Sequence, residues 1–550
     1  MAIASNFPAI RPSLNLDFAN AKALDPRISF SRASAATYYD GKTVAKAEEN
    51  LLLRSQEFTS TAWTKLGASI AQVNLVAPDA TATASSLTED SSNAQHYFTQ
   101  SCTTSAGLPY TFSIYCKAGG RNFGAIYLSV STFPVGATVF FDLSSGVITS
   151  TGAGVSASSI QGVGNGWFRV SISAVGTASG TGIAAVYLSN SDSSTAAYQG
   201  DGSSGIYIWG AQLEQRSQVT AYTPTTTQPI TNYIPVLQTA QAGVPRFDHN
   251  SVTGESLGLL VEEQRTNLLF RSEEFSNSIW AKFNTNVEQN VAIAPDGTLT
   301  ADKLFESSTA LVVHGLDQAI TTSANTYSAS IYAKAAGRTK FRLSSNSGQS
   351  PAAEFDLTSN TAIPIGSTSS ATITPVGNGW FRCTATRTVA GGAEAFQIQL
   401  MSAASTAYIG DGYSGIYIWG AQLEAGDKAT SYIKTEASQV TRAADQNLTA
   451  ALGQPGAGTI YVDATVRSGN TLATSGATTF PATASTRQKT AVAYDATSTR
   501  KSINGAAVTS SAGTQGGSNI SIAPGATGWI SKLSIYPQKF GDAHLQSLTA

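Results

Sequence analysis

Apolar residues along this chain alternate with small polar ones in short runs, and Gly, Asn or Asp breaks each run. Leu14-Asn-Leu-Asp-Phe18, Thr459-Ile-Tyr-Val-Asp-Ala-Thr-Val-Arg467 and Trp529-Ile-Ser-Lys-Leu-Ser-Ile-Tyr536 have the period of two of half-buried strands. Asp40-Gly41 and Asn504-Gly505 are hairpin-type turn signals between such runs. Helical periodicity is nearly absent; only Asp542–Leu548 suits two helical turns. The pattern predicts an all-β chain of sandwiches or barrels.

Two long stretches repeat. Ser204-Gly-Ile-Tyr-Ile-Trp-Gly-Ala-Gln-Leu-Glu214 recurs unchanged as 414–424, and Val163-Gly-Asn-Gly-Trp-Phe-Arg169 as 376–382. Asn50-Leu-Leu…Phe58…Trp63-Thr-Lys65 is matched by Asn267-Leu-Leu…Phe275…Trp280-Ala-Lys282. A unit of this length is a domain used twice, not a solenoid repeat. Duplication multiplies a binding surface more readily than it improves a catalyst, which points to a binding or architectural protein. Within the last strand Ile206 and Ile208 face one side, Tyr207 and Trp209 the other, so both faces are apolar. The strand is then buried on both sides, or its Tyr/Trp face meets another surface.

The expected organisation is a lead-in arm 1–49, a first module 50–222, a linker and second lead-in arm 223–266, a second module 267–432, and a linker with a small C-terminal β domain 433–550. Thr223-Pro-Thr-Thr-Thr-Gln-Pro229 marks the clearest join.

Only 12% of residues are charged and the net charge is -2, so no basic stripe for nucleic acid is expected. No run of 18 apolar residues provides a membrane-spanning helix. Met1–Ile10 lacks the charged start and apolar core of a secretory signal, so folding in a cytoplasm is expected. The repeat puts Ala333 opposite Cys116, Val170 opposite Cys383 and Ile320 opposite Cys102, which reads as buried free thiols.

Candidate chemistry is sparse. Trp209, Trp419, Trp167 and Trp380 read as core. Trp63 and Trp280, beside Lys65 and Lys282, are the best candidates for partial exposure and carbohydrate contact. Arg121 and Arg338, on matching hairpins, could hydrogen-bond sugar hydroxyls or carboxylates, or be solvated charges. Gly200-Asp-Gly202 and Gly410-Asp-Gly412 read as turns rather than Ca²⁺ loops. Nothing pairs Glu89, Asp90, Glu262 or Glu263 as a glycosidase would, and the histidines have no catalytic or metal spacing. His96 and His314, each four residues before a Gln, suggest hydrogen bonding within a module. No cofactor, metal or catalytic residue is expected.

Several motifs occur in a familiar order: Asp25-Pro-Arg-Ile-Ser-Phe-Ser-Arg32, Pro245-Arg-Phe-Asp248, Gly258-Leu-Leu-Val-Glu-Glu-Gln-Arg-Thr-Asn-Leu-Leu269, Tyr-Ile-Trp-Gly-Ala-Gln-Leu-Glu and Thr441-Arg-Ala-Ala-Asp445. Over about residues 8–445 the chain resembles bacteriophage head or tail fibre and spike proteins. The resemblance implies tandem jelly-roll modules like carbohydrate-binding modules, a virion-surface location, contact with other virion proteins, homotrimerisation, and adhesion to a host bacterial surface polysaccharide. It carries over no site residue. The C-terminal ending resembles laminin-G-like or concanavalin-like sandwiches, although residues 446–550 are few for that fold. Residues 1–49 are then expected to anchor to the particle, with 446–550 distal. A purely architectural decoration protein and a polysaccharide depolymerase are the alternatives.

Overall fold

The computed structural model describes residues 11–307, 310–344, 351–368, 370–403, 405–451, 456–468, 471–475, 478–481, 486–512, 519–522 and 527–550; Met1–Ile10, read above for a signal, lies outside them. The chain is all-β, with tandem jelly-roll sandwiches. In the first module one six-stranded antiparallel sheet centres on Phe123–Leu128, Gly180–Leu188 and Tyr97–Thr104, the other on Phe168–Val175, Pro109–Gly119 and Gly205–Glu214. The second module repeats both sheets with Lys340–Ser344, Gly392–Met401 and Gly315–Thr322, and with Trp380–Val389, Asn325–Ala336 and Gly415–Ala425.

Alternation fixes what each strand buries. Ile206 and Ile208 enter the sandwich core of the first module with Phe112, Ile114 and Ile172, while Trp209 points outward to a second cluster with Tyr115 and Trp167. Ile416, Ile418 and Trp419 divide in the same way. All three cysteines are free and buried, and burial alone raises the Cys102 thiol to about 12. At Asn165-Gly166 and Asn378-Gly379 both residues have positive φ, as the Asn-Gly turns require.

The third domain differs from the segment-by-segment expectation. Its eight-stranded sheet contains Gly458–Ser468, Arg487–Tyr494 and Thr527–Tyr536, but also Arg246–His249 and Ser256–Val261 from between the modules. Leu14–Asp17 joins it from the chain's beginning: Leu14 pairs with Ile535 and Asp17 with Lys532, while Leu259–Val261 pairs with Gly528–Ile530 on the same strand. Ile28–Ser31 pairs with Gln446–Ala451 in the opposing five-stranded sheet. Leu14, Leu16, Ile28, Leu259, Val462 and Leu533 share one core. Three sequence-distant pieces thus supply the strands that residues 446–550 lack. The expected separation of an N-terminal anchoring arm from a distal C-terminal domain does not hold, because the two ends share a sheet. The rest of the arm, Ala36–Asn50, pairs with Ile230–Ala240 as a long two-stranded ribbon. The short C-terminal helix, Asp542–Thr549, packs Leu545 beside Phe540 and Tyr536 on the sheet's outer side.

Candidate functional site

Each predicted contact residue can be placed. Trp63 and Trp280 are 1% and 0% exposed and sit in the sandwich cores, which corrects the expectation of partial exposure. Each indole N–H donates to the carbonyl nine residues before it, Arg54 O at 3.1 Å and Arg271 O at 3.0 Å. Lys65 and Lys282 cap the same turn, donating to Ser60 O and Asn277 O. The Trp-x-Lys opening closes a loop over the core. Asn50 and Asn267 open their modules for a related reason: each buried amide donates to two carbonyls and accepts from two backbone N–H groups, so no polar atom is stranded.

Arg121 and Arg338 are neither free charges nor open donors. Arg121 forks onto buried Glu89 at 2.9 and 2.6 Å, and Glu89 also accepts from Tyr198 Oη and Asp201 N. Burial opposes ionisation of Glu89, but these donors, Arg121 first, bring its carboxyl below the ordinary value. Glu306 receives the same four donors from Arg338, Tyr408 and Asp411. With every lone pair taken, these carboxylates lock the last strand of each module. His96 and His314 are buried against carbonyls of Tyr198 and Tyr408, within their modules.

The motifs between and after the modules converge on one buried ion cluster. Arg246 donates to Glu262 (2.7 Å) and Asp445 (2.6 Å), and Arg32 to Asp445 (3.0 Å). Arg442 lies 3.7 Å from Glu262, and the Ser431 N–H and hydroxyl donate to Glu262. This cluster ties the arm, the linker, the second module and the third domain together.

An outward aromatic surface lies on the first module, on the sheet opposite Trp209. Strand register sets Phe140, Ala125, Tyr187 and Tyr97 side by side on four neighbouring strands, with exposed Leu66 beyond. Directly opposed residues project to one face. Tyr97 and Tyr187 stack at 4.6 Å, Tyr127 meets Tyr187 edge-on at 6.1 Å, and all three are half-buried. Burial, then Tyr97 and Tyr127, raises the Tyr187 hydroxyl to about 12, so it stays a neutral O–H at working pH. The same row in the second module reads Glu354, Arg342, Gln399 and Gly315. The signal for these tyrosines in the sequence is a mismatch between the repeats, whereas attention to matching residues selects the core.

A cavity of about 590 Å³ opens where the second module, the Ala36–Asn50 ribbon and the third domain meet. Trp529, the one tryptophan without a repeat partner, lines it with Tyr39, Asp248, His249, Arg382 and Arg467. Asp248 accepts from Trp529 Nε1 (2.7 Å) and Tyr39 N (2.8 Å); burial raises its carboxyl above the ordinary value despite these bonds. Arg467 lies over the Trp529 ring at 5.3 Å and Arg382 over Tyr332 at 5.5 Å. A second cavity, about 340 Å³, lies between the modules and is lined by the repeat-related Tyr115, Trp209, Tyr222 and Arg169.

No family model matches this chain, and no curated protein does. Among solved structures it is similar to the N-terminal CBM22-1-CBM22-2 tandem domain from Paenibacillus barcinonensis Xyn10C, at 12% identity over 70% of this chain and 99% of that one. The TM-score is 0.19, an overlay too loose to bear on fold detail or ligand.

Proposed function

We propose that this chain is a non-enzymatic subunit of a bacteriophage fibre or spike, made in the host cytoplasm and displayed on the virion, that adheres to a bacterial surface polysaccharide. The observation that carries the adhesive reading is the half-buried Phe140, Tyr187 and Tyr97 row, set around buried Ala125: an uncharged aromatic platform on an outer sheet face, where the sister module has Glu354, Arg342, Gln399 and Gly315. Tyrosine offers a sugar a flat apolar face and a hydroxyl at little conformational cost. The motif order resembling phage fibre proteins supports the virion reading.

A single such platform is weak; about 1 mM affinity corresponds to about 4 kcal/mol. Presenting several copies in a homotrimer would raise avidity by roughly 10²–10⁴ without new contacts. The test is binding of the purified chain to polysaccharide from candidate host cells, with product size checked afterwards. Saturable binding of intact polymer is expected. Shortened polymer would mean a depolymerase, and no binding to any surface glycan an architectural role.

A further inference from the structure

The cavity at the junction of the second module and the third domain is lined by two arginines that no carboxylate contacts directly. Arg382 makes one side-chain hydrogen bond, to Ser330 Oγ at 3.2 Å, and its Nε is buried without a partner; Arg467 makes one, to Ala429 O at 2.7 Å. Among the described residues neither forms an ion pair. Of the two lining carboxylates, Glu262 pairs with Arg246 and accepts from Ser431, and Asp248 accepts from the Trp529 and Tyr39 N–H groups; neither is bonded to Arg382 or Arg467. Both guanidinium groups feel nearby buried carboxylates but bond to none, so they keep unused donors, and a carboxylate with its planar pair of oxygens is the complementary partner. In the inter-module cavity one lining cation, Lys334, is directly paired, with Glu48.

We infer that the junction cavity is a second saccharide site, selective for a sugar bearing a carboxylate, whose acid group is received by Arg382 and Arg467. The remaining lining suits a pyranose ring. Trp529 is fixed in orientation by Asp248 with Arg467 over its ring, and exposed Thr374 places a hydroxyl at the rim. His249, 3% exposed, has its Nδ1 against the Phe247 carbonyl at 3.0 Å and its Nε2 without a partner. At about 590 Å³ the space falls in the ordinary range of small-molecule sites, about 300–1,000 Å³. The site is independent of the tyrosine platform, and either can fail without the other.

The experiment titrates the intact chain with D-glucuronate, D-galacturonate, D-glucose and acetate, reading calorimetric heat and tryptophan fluorescence at low and raised salt. One or both uronates should bind saturably, at least about tenfold tighter than glucose or acetate, and weaken with salt. R467Q should reduce that binding at least about tenfold, and Y187A should leave it unchanged. Glucose binding as well as the uronates would overturn the charge selection, and acetate doing so would overturn the sugar. No saturable uronate binding, or none lost in a folded R467Q, would overturn the site. If R467Q does not fold, the wild-type comparison of uronate with glucose still decides.

Discussion

The Arg246 guanidinium and the Asp445 carboxylate meet at 2.6 Å with both side chains fully buried, although 199 residues separate them. Together with Arg32, Glu262 and Arg442 they form the point where the chain's beginning, its inter-module linker and its C-terminal domain are fastened. Burying charge is costly, but removing one partner costs more, because it leaves the other uncompensated.

Asp445→Asn should therefore destabilise the third domain by about 3–5 kcal/mol. Denaturant unfolding followed at Trp529 checks this. A change under about 1 kcal/mol would show that the cluster is not a fastening.

Removing residues 446–550 should release strands far away in sequence. Leu14–Asp17 and Ser256–Val261 should lose hydrogen-exchange protection, while Gly205–Glu214 keeps it. Protection of Leu14–Asp17 retained after truncation would contradict the shared sheet.

Much of the modular architecture was legible because Ile206, Ile208 and Trp209 alternate and recur as Ile416, Ile418 and Trp419. The third domain was not. A four-residue strand such as Leu14–Asp17 announces that it is a strand but not its partner, and its partner lies at the other end of the chain. Trp63 misled for a local reason: a neighbouring lysine suggests surface, yet Lys65 spends its charge on the Ser60 carbonyl while the indole turns inward to Arg54. The tyrosine row depends on register across four strands, which spacing along one strand does not reveal.

Stability of the second module should depend on Asp302. Burial raises its carboxyl from 3.8 to about 6, and the N–H bonds from Asn290 and Phe275 only partly oppose this. A folded value above the unfolded one means that folding favours the protonated acid. This stability is complete below about pH 4 and lost as pH rises through 6, of order 3 kcal/mol by pH 7. Asp302→Ser, the residue found at the matching Ser85, should flatten that fall between pH 4 and 7 in urea titrations. An unchanged slope would assign it to other groups.

The cysteines should be silent until the chain unfolds. Burial raises the Cys102 thiol to about 12 and moves Cys116 and Cys383 upward too, so a thiol reagent at pH 8 should label none in the native chain and all three in denaturant. Rapid native labelling of any would mean that its sandwich opens.

Removal of the Glu89 clasp should act on stability, not adhesion. Arg121→Ala leaves the buried Glu89 without its fork and should cost about 3–5 kcal/mol, with polysaccharide affinity unchanged in the folded fraction. Lost affinity at unchanged stability would return Arg121 to the binding surface.

The most direct measurement compares the wild-type chain with Tyr187→Ala for binding to intact host polysaccharide, alongside thermal unfolding of both. Stable folding with affinity reduced at least about tenfold is the predicted result, since Tyr187 stacks on Tyr97 at the centre of the row. Equal affinity in a folded variant would contradict the claim that this platform is the adhesive surface.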